Sequence, residues 1–223
     1  GQGIATRLSG EIKSLQMASR NASDAQAMID TADGAHQEVH SMLLRMREIA
    51  VQAVNGTLNS ADRTALNTEM TAMETEINKI ADNTQFGGIN LGTSSAVTFQ
   101  VGAAKGVTIS HTFKDFDATK IGATGGVDTA TNAANAISLI DDAISLVSTR
   151  RGELGALSNR LTSTIANLDN IAVNLSSARG RIQDADFATE TSNLAKSQIM
   201  QQAATAMLAQ ANASKQTVLA LIQ

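Results

Sequence analysis

Apolar and small side chains recur every three or four residues through the first part of the chain, and no proline interrupts them. The series runs from Ile4 to Ala32, is interrupted once by the polar residue His36, and continues from Val39 to Ala53. Its mean spacing of about 3.5 residues is the coiled-coil period, and most charged residues lie between its positions. The pattern predicts one long amphipathic helix that needs other long helices alongside it.

Two further helices are predicted downstream. Asn55 and Gly56 suit the end of the first helix, Ser60 suits the N-cap of the second, and apolar residues then follow at helical spacing. Because this connection is short, the first two helices should be antiparallel neighbours. A third helix, over about 129–181, carries a stripe as long as that of the first, so the two should pack along their whole extent.

The pattern between the second and third helices predicts β-structure. Val97, Phe99 and Val101 alternate with polar residues, and a second alternation begins at Val107 after a glycine-containing turn. Such alternation around a turn predicts a β-hairpin. The following residues, about 112–128, have no clear period and contain three glycines, which predicts a flexible connection.

The last segment has a different character. After Glu190 its only charges are Lys196 and Lys215, and Ala and Gln dominate. A helix with so little polar surface is expected to be buried against copies of itself or against a partner.

Together these elements predict a fold class that is mainly α, with long antiparallel helices in a coiled-coil-like rod and a small β-hairpin region. The rod is assigned to 1–183, with helices over about 1–54, 60–83 and 129–181 and hairpin and loops over about 85–128, and the C-terminal helix segment to 184–223.

Composition narrows the function. The net charge is −4 without a basic block, which argues against nucleic-acid binding. There is no run of apolar residues long enough to span a membrane, and no cysteine for disulfides or thiolate chemistry. Gly1 stands one turn before a helix already under way, which indicates that an N-terminal segment is missing.

No catalytic constellation is present. His36 and His40, four residues apart, could face a zinc ion, but no third ligand follows at a suitable spacing, and solvated helix histidines are the favoured interpretation. Asp115 and Asp117 lack the glycine and distal glutamate of a calcium loop. We predict no enzyme activity, no metal and no cofactor.

Several stretches resemble bacterial flagellin. They occur in the family's order over nearly the whole chain, and together they are specific although each alone is weak. The stretches are SLQMASRNA at 14–22, LLRMREIAVQ at 43–52, TQFGG at 84–88, FQVGA at 99–103, LGA at 154–156, NRL at 159–161, ARGRIQDADFATE at 178–190, QQA at 201–203 and LAQAN at 208–212.

The resemblance implies a structural subunit that self-assembles head-to-tail into the helical filament of the bacterial flagellum, for motility. It further implies secretion to the extracellular flagellum, and an inner-tube role for residues 184–223. The implied partners are other flagellin subunits, an export chaperone, the filament cap protein and the host Toll-like receptor for flagellin. Relative to the family, the N-terminal segment is expected to be truncated and the outer domain reduced to the loop around 112–128.

The resemblance also implies a site. In flagellins the stretch matching 43–52 is where subunits touch along the filament and where the receptor binds. The positions carried over are Arg45, Ile49, Gln52 and, on the second helix, Glu69. Because Ile49 lies beside the apolar stripe of the first helix, part of its side chain is expected to stay exposed, where it would anchor the next subunit. Leu44 stands where many receptor-active flagellins carry Gln.

Two alternatives remain open at this point. A hook–filament junction protein shares these terminal patterns, although the ending from Gln201 to Asn212 favours a filament flagellin. The other alternative is a cell-surface homologue that acts as an adhesin or binds polysaccharide.

Overall fold

The structure is a computed structural model that describes residues 1–184 and 187–222. It is mainly α with a small β region, as the sequence predicts. By chain contacts it divides into two compact units, one formed by Ser9–Ser176 and the other by Gly1–Leu8 with the residues from Ser177 onward. In chain order the elements are α1 (Gln2–Val54), α2 (Ser60–Asn83), β1 (Gln85–Phe86), β2 (Ile89–Asn90), β3 (Ser95–Gln100), β4 (Thr108–Phe113), α3 (Ala130–Gln183) and α4 (Phe187–Ile222).

Within the Ser9–Ser176 unit, α1 and α3 lie antiparallel over many turns. Polar contacts bridge them at successive levels, and residue numbers fall on α3 as they rise on α1. This confirms the predicted pairing of the first and third helices. The contacts are Ser19 Oγ to Asp169 at 3.0 Å, Gln26 Nε2 to Thr162 at 2.7 Å, Arg151 Nε to Asp33 at 2.8 Å and Arg47 Nε to Asp141 at 2.6 Å.

Helix α2 folds back along α1, as the short connection predicts. Arg63 Nε donates to the Ala53 carbonyl at 2.9 Å, and Arg45 Nη2 contacts Glu69 Oε1 at 2.8 Å. The N-cap is Asn59, one residue before the predicted Ser60. Asn59 accepts from the Asp62 amide at 2.9 Å, and the Asp62 carboxylate accepts from the Asn59 amide at 3.2 Å, so the reciprocal pair satisfies two otherwise unpaired donors.

The core follows α1. Its alanines at positions 22, 25 and 32 are fully buried against leucines of α3 and against the β3–β4 hairpin. Small side chains let the helices approach closely, so the core is thin but long. His36 occupies the position at which the apolar series is interrupted. It lies in the core as well, with only 4 % of its surface exposed.

The β region consists of two antiparallel hairpins. β3 and β4 pair from Ser95 opposite Phe113 to Gln100 opposite Thr108, which confirms the predicted hairpin. Phe99, Ile109 and Phe113 bury one face of it against α1 and α3. A second, much shorter hairpin joins β1 to β2 through Gly87 and Gly88, whose φ angles are 57° and 83°. Positive φ at both central residues is the requirement of a type I′ turn, and glycine meets it without strain.

The connection between β4 and α3 is not the flexible loop that its glycines predicted. Phe116, Ile121 and Val127 are buried in the helical core. Side chains on one face of α2 accept hydrogen bonds from the loop's backbone amides, which replaces the pairing that a regular element would supply. These bonds are Ala118 N to Asn78 at 2.8 Å, Gly125 N to Glu74 at 3.1 Å and Val127 N to Asn67 at 2.8 Å.

Helix α4 is long and has no buried stripe among its described side chains. Leu194 is 58 % exposed and Met207 is 72 % exposed, and Ile199, Met200 and Leu208 are comparably open. Among the described residues, no helix is both long and apolar enough to cross a membrane.

Gly92 marks the tightest approach of the β region to α2. A Cβ added there would lie far inside van der Waals distance of the Ala81 carbonyl oxygen, and that backbone has no room to move because Ala81 is buried. We expect Gly92→Ala to lower the free energy of unfolding by about 1–3 kcal/mol, measured by urea denaturation.

The matched control for Gly92→Ala is Gly152→Ala. Gly152 is exposed within α3, and nothing lies within 4 Å of a Cβ there. This substitution should raise stability by about 0.5–1 kcal/mol, because alanine favours the helix. Equal effects at the two positions would contradict the steric assignment of Gly92.

Candidate functional site

Arg45 joins α1 to α2 on the surface of the Ser9–Ser176 unit. Its Nη1 contacts Glu48 at 2.9 Å, and its Nε and Nη2 donate to Glu69 Oε1 at 3.1 and 2.8 Å. The hydrogen bonds to Glu48 and Glu69 raise the pKa of Arg45. All three side chains are at least 40 % exposed, so the cluster is an ordered charged patch on a wet surface.

Gln52 lies two turns further along the same helix and is exposed. It lines a shallow open groove together with Leu44, Arg47, Glu48 and Val51. Leu44 is 45 % exposed and Val51 is 49 % exposed, so the groove offers apolar contact area beside the charged patch. We call the groove and the Arg45 cluster together the α1 outer face.

Ile49 does not belong to this face. The sequence predicted partial exposure, and that prediction is wrong, because Ile49 is fully buried. The reason is that α1 packs against α2 on one side and α3 on the other, so its buried face is wider than the single stripe read from the sequence. Met46, Ile49 and Ala50 therefore enter one core with Met70 of α2 and Ile140 of α3.

Val51 is the apolar residue of the outer face that the sequence analysis missed. It follows Leu44 by seven residues and Arg47 by four, which is the spacing of one helix face. Arg47 is held across the α1–α3 seam by Asp141, whose pKa is lowered by that hydrogen bond. An apolar series on the polar side of an amphipathic helix is the signal that could have identified this face.

The two histidines of α1 lie in different surroundings. His36 is buried, with its ring centroid 4.5 Å from that of Phe116, whereas His40 is half-buried. His36 Nδ1 donates to the Ala32 carbonyl at 2.8 Å, because a carbonyl can only accept. The interpretation of His36 as a solvated histidine is therefore wrong. Among the residues that the structure describes, no three His, Cys, Asp or Glu side chains are grouped so as to hold a metal ion.

The Asp115–Asp117 pair serves the loop. Asp117 Oδ1 accepts from the Lys120 amide at 2.7 Å, which closes a turn. Arg150 Nη1 donates to the Asp115 carbonyl and so ties the loop to α3. Loop structure thus accounts for the Asp117 carboxylate, whereas Asp115 ties the loop through its backbone carbonyl and its side-chain Oδ1 is buried without a hydrogen-bond partner.

Comparison with known proteins agrees with this arrangement. The family model of the bacterial flagellin N-terminal helical region matches residues 1–93, and that of the C-terminal helical region matches residues 137–222. The flagellin of Halalkalibacterium halodurans is 42 % identical over 228 residues, covering 100 % of this chain and 84 % of that protein. The flagellin of Bacillus subtilis is 38 % identical over 261 residues, covering 100 % of this chain and 86 % of that protein.

The chain belongs to the bacterial flagellin family.

The fold agrees with solved structures. The crystal structure of Bacillus cereus flagellin matches with a TM-score of 0.63 at 30 % identity, covering 72 % of this chain and 94 % of that one. A structure from Vibrio parahaemolyticus, described as a flagellar hook-associated protein, matches with a TM-score of 0.68 at 18 % identity, covering 79 % and 95 %. At that identity the second match shows the shared fold alone.

This flagellin is a structural subunit of the bacterial flagellar filament, a component of the extracellular flagellum whose partners are other flagellin subunits.

The buried histidine predicts a pH dependence of stability in this flagellin. Burial lowers the pKa of His36 below its ordinary value of 6.5; Arg150 and Arg151 lower it further, against opposing effects of the Ala32 carbonyl and Asp33. The unfolded chain therefore binds the proton first as the pH falls. We expect full stability above the ordinary pKa and a loss below it, with a slope of at most about 1.4 kcal/mol per pH unit from this one group.

The test compares urea unfolding of the wild type and of His36→Leu between about pH 7.5 and pH 5.5. Leucine suits the apolar stripe and does not titrate, so this variant should show a flatter profile. His111, whose pKa burial also lowers, contributes equally to both proteins and cancels in the comparison. Parallel profiles would contradict a role for His36.

A second prediction separates the core of α1 from its outer face. Ile49→Ala removes buried methyl groups and should lower the free energy of unfolding by about 2–5 kcal/mol. Val51→Ala, at a half-exposed position on the same helix, should change it by no more than about 0.5 kcal/mol. Urea denaturation of both purified variants measures the contrast. A mild effect of Ile49→Ala would show that this side chain is not part of the core.

Proposed function

We propose that the α1 outer face is a contact between successive flagellin subunits in the filament. The observation that carries the proposal is the exposure of Leu44 and Val51 beside the ordered Arg45 cluster. A polymer repeats each exposed apolar patch at every subunit, so a covered patch avoids side-by-side aggregation. Arg45, Gln52 and Glu69 keep their assignment to this contact, with Val51 replacing Ile49 as its apolar anchor.

The contact is head-to-tail. In such a contact one surface of a subunit meets a different surface of the next subunit, so the contact propagates without closing into a ring. Arg45 is already paired with Glu48 and Glu69 inside the subunit. Such pairs hold the side chain in one geometry before contact, so less rotamer freedom is lost when the neighbour binds.

Residues 184–223 are proposed to pack with their counterparts in other subunits as the inner-tube part of the filament, and residues 1–183 are proposed as its rod part. The support is the exposed apolar surface along α4 and its scarcity of charge. The same surface is the part of the chain that an export chaperone would cover before assembly. Secretion to the cell exterior and addition of subunits beneath the cap protein complete the proposed path.

Recognition by the host Toll-like receptor for flagellin is proposed for the same outer face. Arg45 and Gln52 are exposed, and Glu69 presents the other half of the Arg45 pair. A receptor and a neighbouring subunit would then compete for one surface, so free subunits and not filaments would be the recognised form.

The assembly proposal is tested with Val51→Asp. The charge should leave the monomer folded, because Val51 is half-exposed, but it should weaken the covered contact. Purified full-length subunits are added to wild-type filament seeds, and growth is followed by light scattering and electron microscopy, which separates assembly from export. We expect the subunit concentration needed for growth to rise by about tenfold or more.

The control for Val51→Asp is Val51→Thr, which keeps the side-chain shape without introducing a charge. This variant should elongate seeds nearly as well as the wild type. Circular dichroism and the melting temperature of both variants must match those of the wild type. Normal growth of Val51→Asp at unchanged stability would overturn the assignment of this face.

A further inference from the structure

The turn between α1 and α2 contains the one Asn-Gly pair of the 223-residue sequence, Asn55-Gly56. Both residues are exposed, and they directly follow Val54, the last residue of α1. We propose that this turn is a site of spontaneous deamidation in the folded protein, a covalent modification beyond the role in assembly.

The reaction needs only water as co-reactant. The backbone nitrogen of Gly56 attacks Cγ of Asn55 and forms a new C–N bond, and the Cγ–Nδ2 bond breaks to release ammonia. The Gly56 amide gives its proton to solvent as the five-membered succinimide closes, and the departing Nδ2 group takes one proton from solvent to leave as ammonia. Water then opens the ring at either carbonyl and yields aspartate or isoaspartate.

The local geometry favours the first step. The amide of Thr57 donates to Asn55 Oδ1 at 3.2 Å, which draws the carboxamide over the Gly56 backbone. That donor is aimed at the oxygen on which negative charge develops when Cγ is attacked. Among the described residues, the Gly56 amide has no backbone acceptor, so its nitrogen is not held in a helical hydrogen bond. Glycine has no Cβ to obstruct the approach.

A second Asx-Gly pair shows that sequence alone does not select the site. Asp33-Gly34 lies in the interior of α1, where the Gly34 amide is fixed in the helical ladder. The Asp33 carboxylate also accepts from Arg151 at 2.8 and 3.1 Å. Ring closure there would require the helix to open, so the structure favours the turn and protects the helix.

Arg63 influences which product forms when water opens the succinimide. Its Nη2 donates to the Asn55 carbonyl oxygen at 3.0 Å. When water attacks that carbonyl, the product is isoaspartate, and this oxygen becomes part of a free carboxylate beside the guanidinium. Arg63 therefore favours isoaspartate over aspartate. The product adds one carbon to the turn and one negative charge at the C-terminus of α1, where the helix dipole disfavours it.

The test incubates the purified full chain in mildly alkaline buffer and follows deamidation by mass spectrometry of tryptic peptides. The peptide from Glu48 to Arg63 contains both Asn55 and Asn59, so the second asparagine is an internal control. We expect Asn55 to deamidate faster than Asn59 by about tenfold or more. Gly56→Ala should lose most of this difference. Arg63→Gln, whose tryptic peptide extends from Glu48 to Lys79, should lower the isoaspartate share of the product.

A parallel incubation in urea separates the contribution of the fold from that of the sequence. In the folded protein Asn55 should react at least as fast as in the unfolded chain, whereas isomerisation at Asp33 should appear only on unfolding. Equal rates at Asn55 and Asn59, or a folded rate at Asn55 well below the unfolded one, would overturn the proposal.

Discussion

The antiparallel seam between α1 and α3 is the contact on which the rest of the Ser9–Ser176 unit depends. In a folded protein most of the stability of a helix comes from packing one face against other elements and not from its own hydrogen bonds. Here nearly half of the buried apolar residues of α1 are alanines, so the turns that carry them contribute little buried area and the seam must be long to suffice. The hairpin and the β4–α3 loop add the aromatic side chains, Phe99, Phe113 and Phe116, that thicken this core locally.

The sequence predicted the helices and the hairpin well, because both rest on periodic patterns repeated many times. The end of α1 and the start of α2 fell within a residue or so of the predicted positions because Asn55, Gly56 and a capping residue mark them. The resemblance to flagellin rested on stretches distributed along the chain, and the family matches cover both terminal regions. These features need no knowledge of which elements meet in space.

Apart from the N-cap of α2, the errors concern residues whose environment depends on a third element. The predicted exposure of Ile49 takes account of one helical partner, whereas α2 and α3 together enclose this side chain. His36 was read as solvated because histidine is polar, yet the loop places Phe116 against it. The loop itself was read as flexible from its glycines, whereas its anchors lie some forty to sixty residues earlier on α2. No local pattern carries that information, so tertiary contact decided each of these cases.

The side-chain anchors on α2 have a consequence for how this fold can change length. The amides of Ala118 and Gly125 are held by Asn78 and Glu74, and Ala123 N closes onto the Ala118 carbonyl at 2.8 Å. Thr124 is exposed between these fixed points, so both ends of any chain inserted there are already positioned. The added segment meets only the entropy of closing a loop, which rises by about 0.6 kcal/mol for each doubling of its length. A segment inserted at Thr124 would therefore begin and end at anchored backbone, and its length would matter little to the helices beneath it.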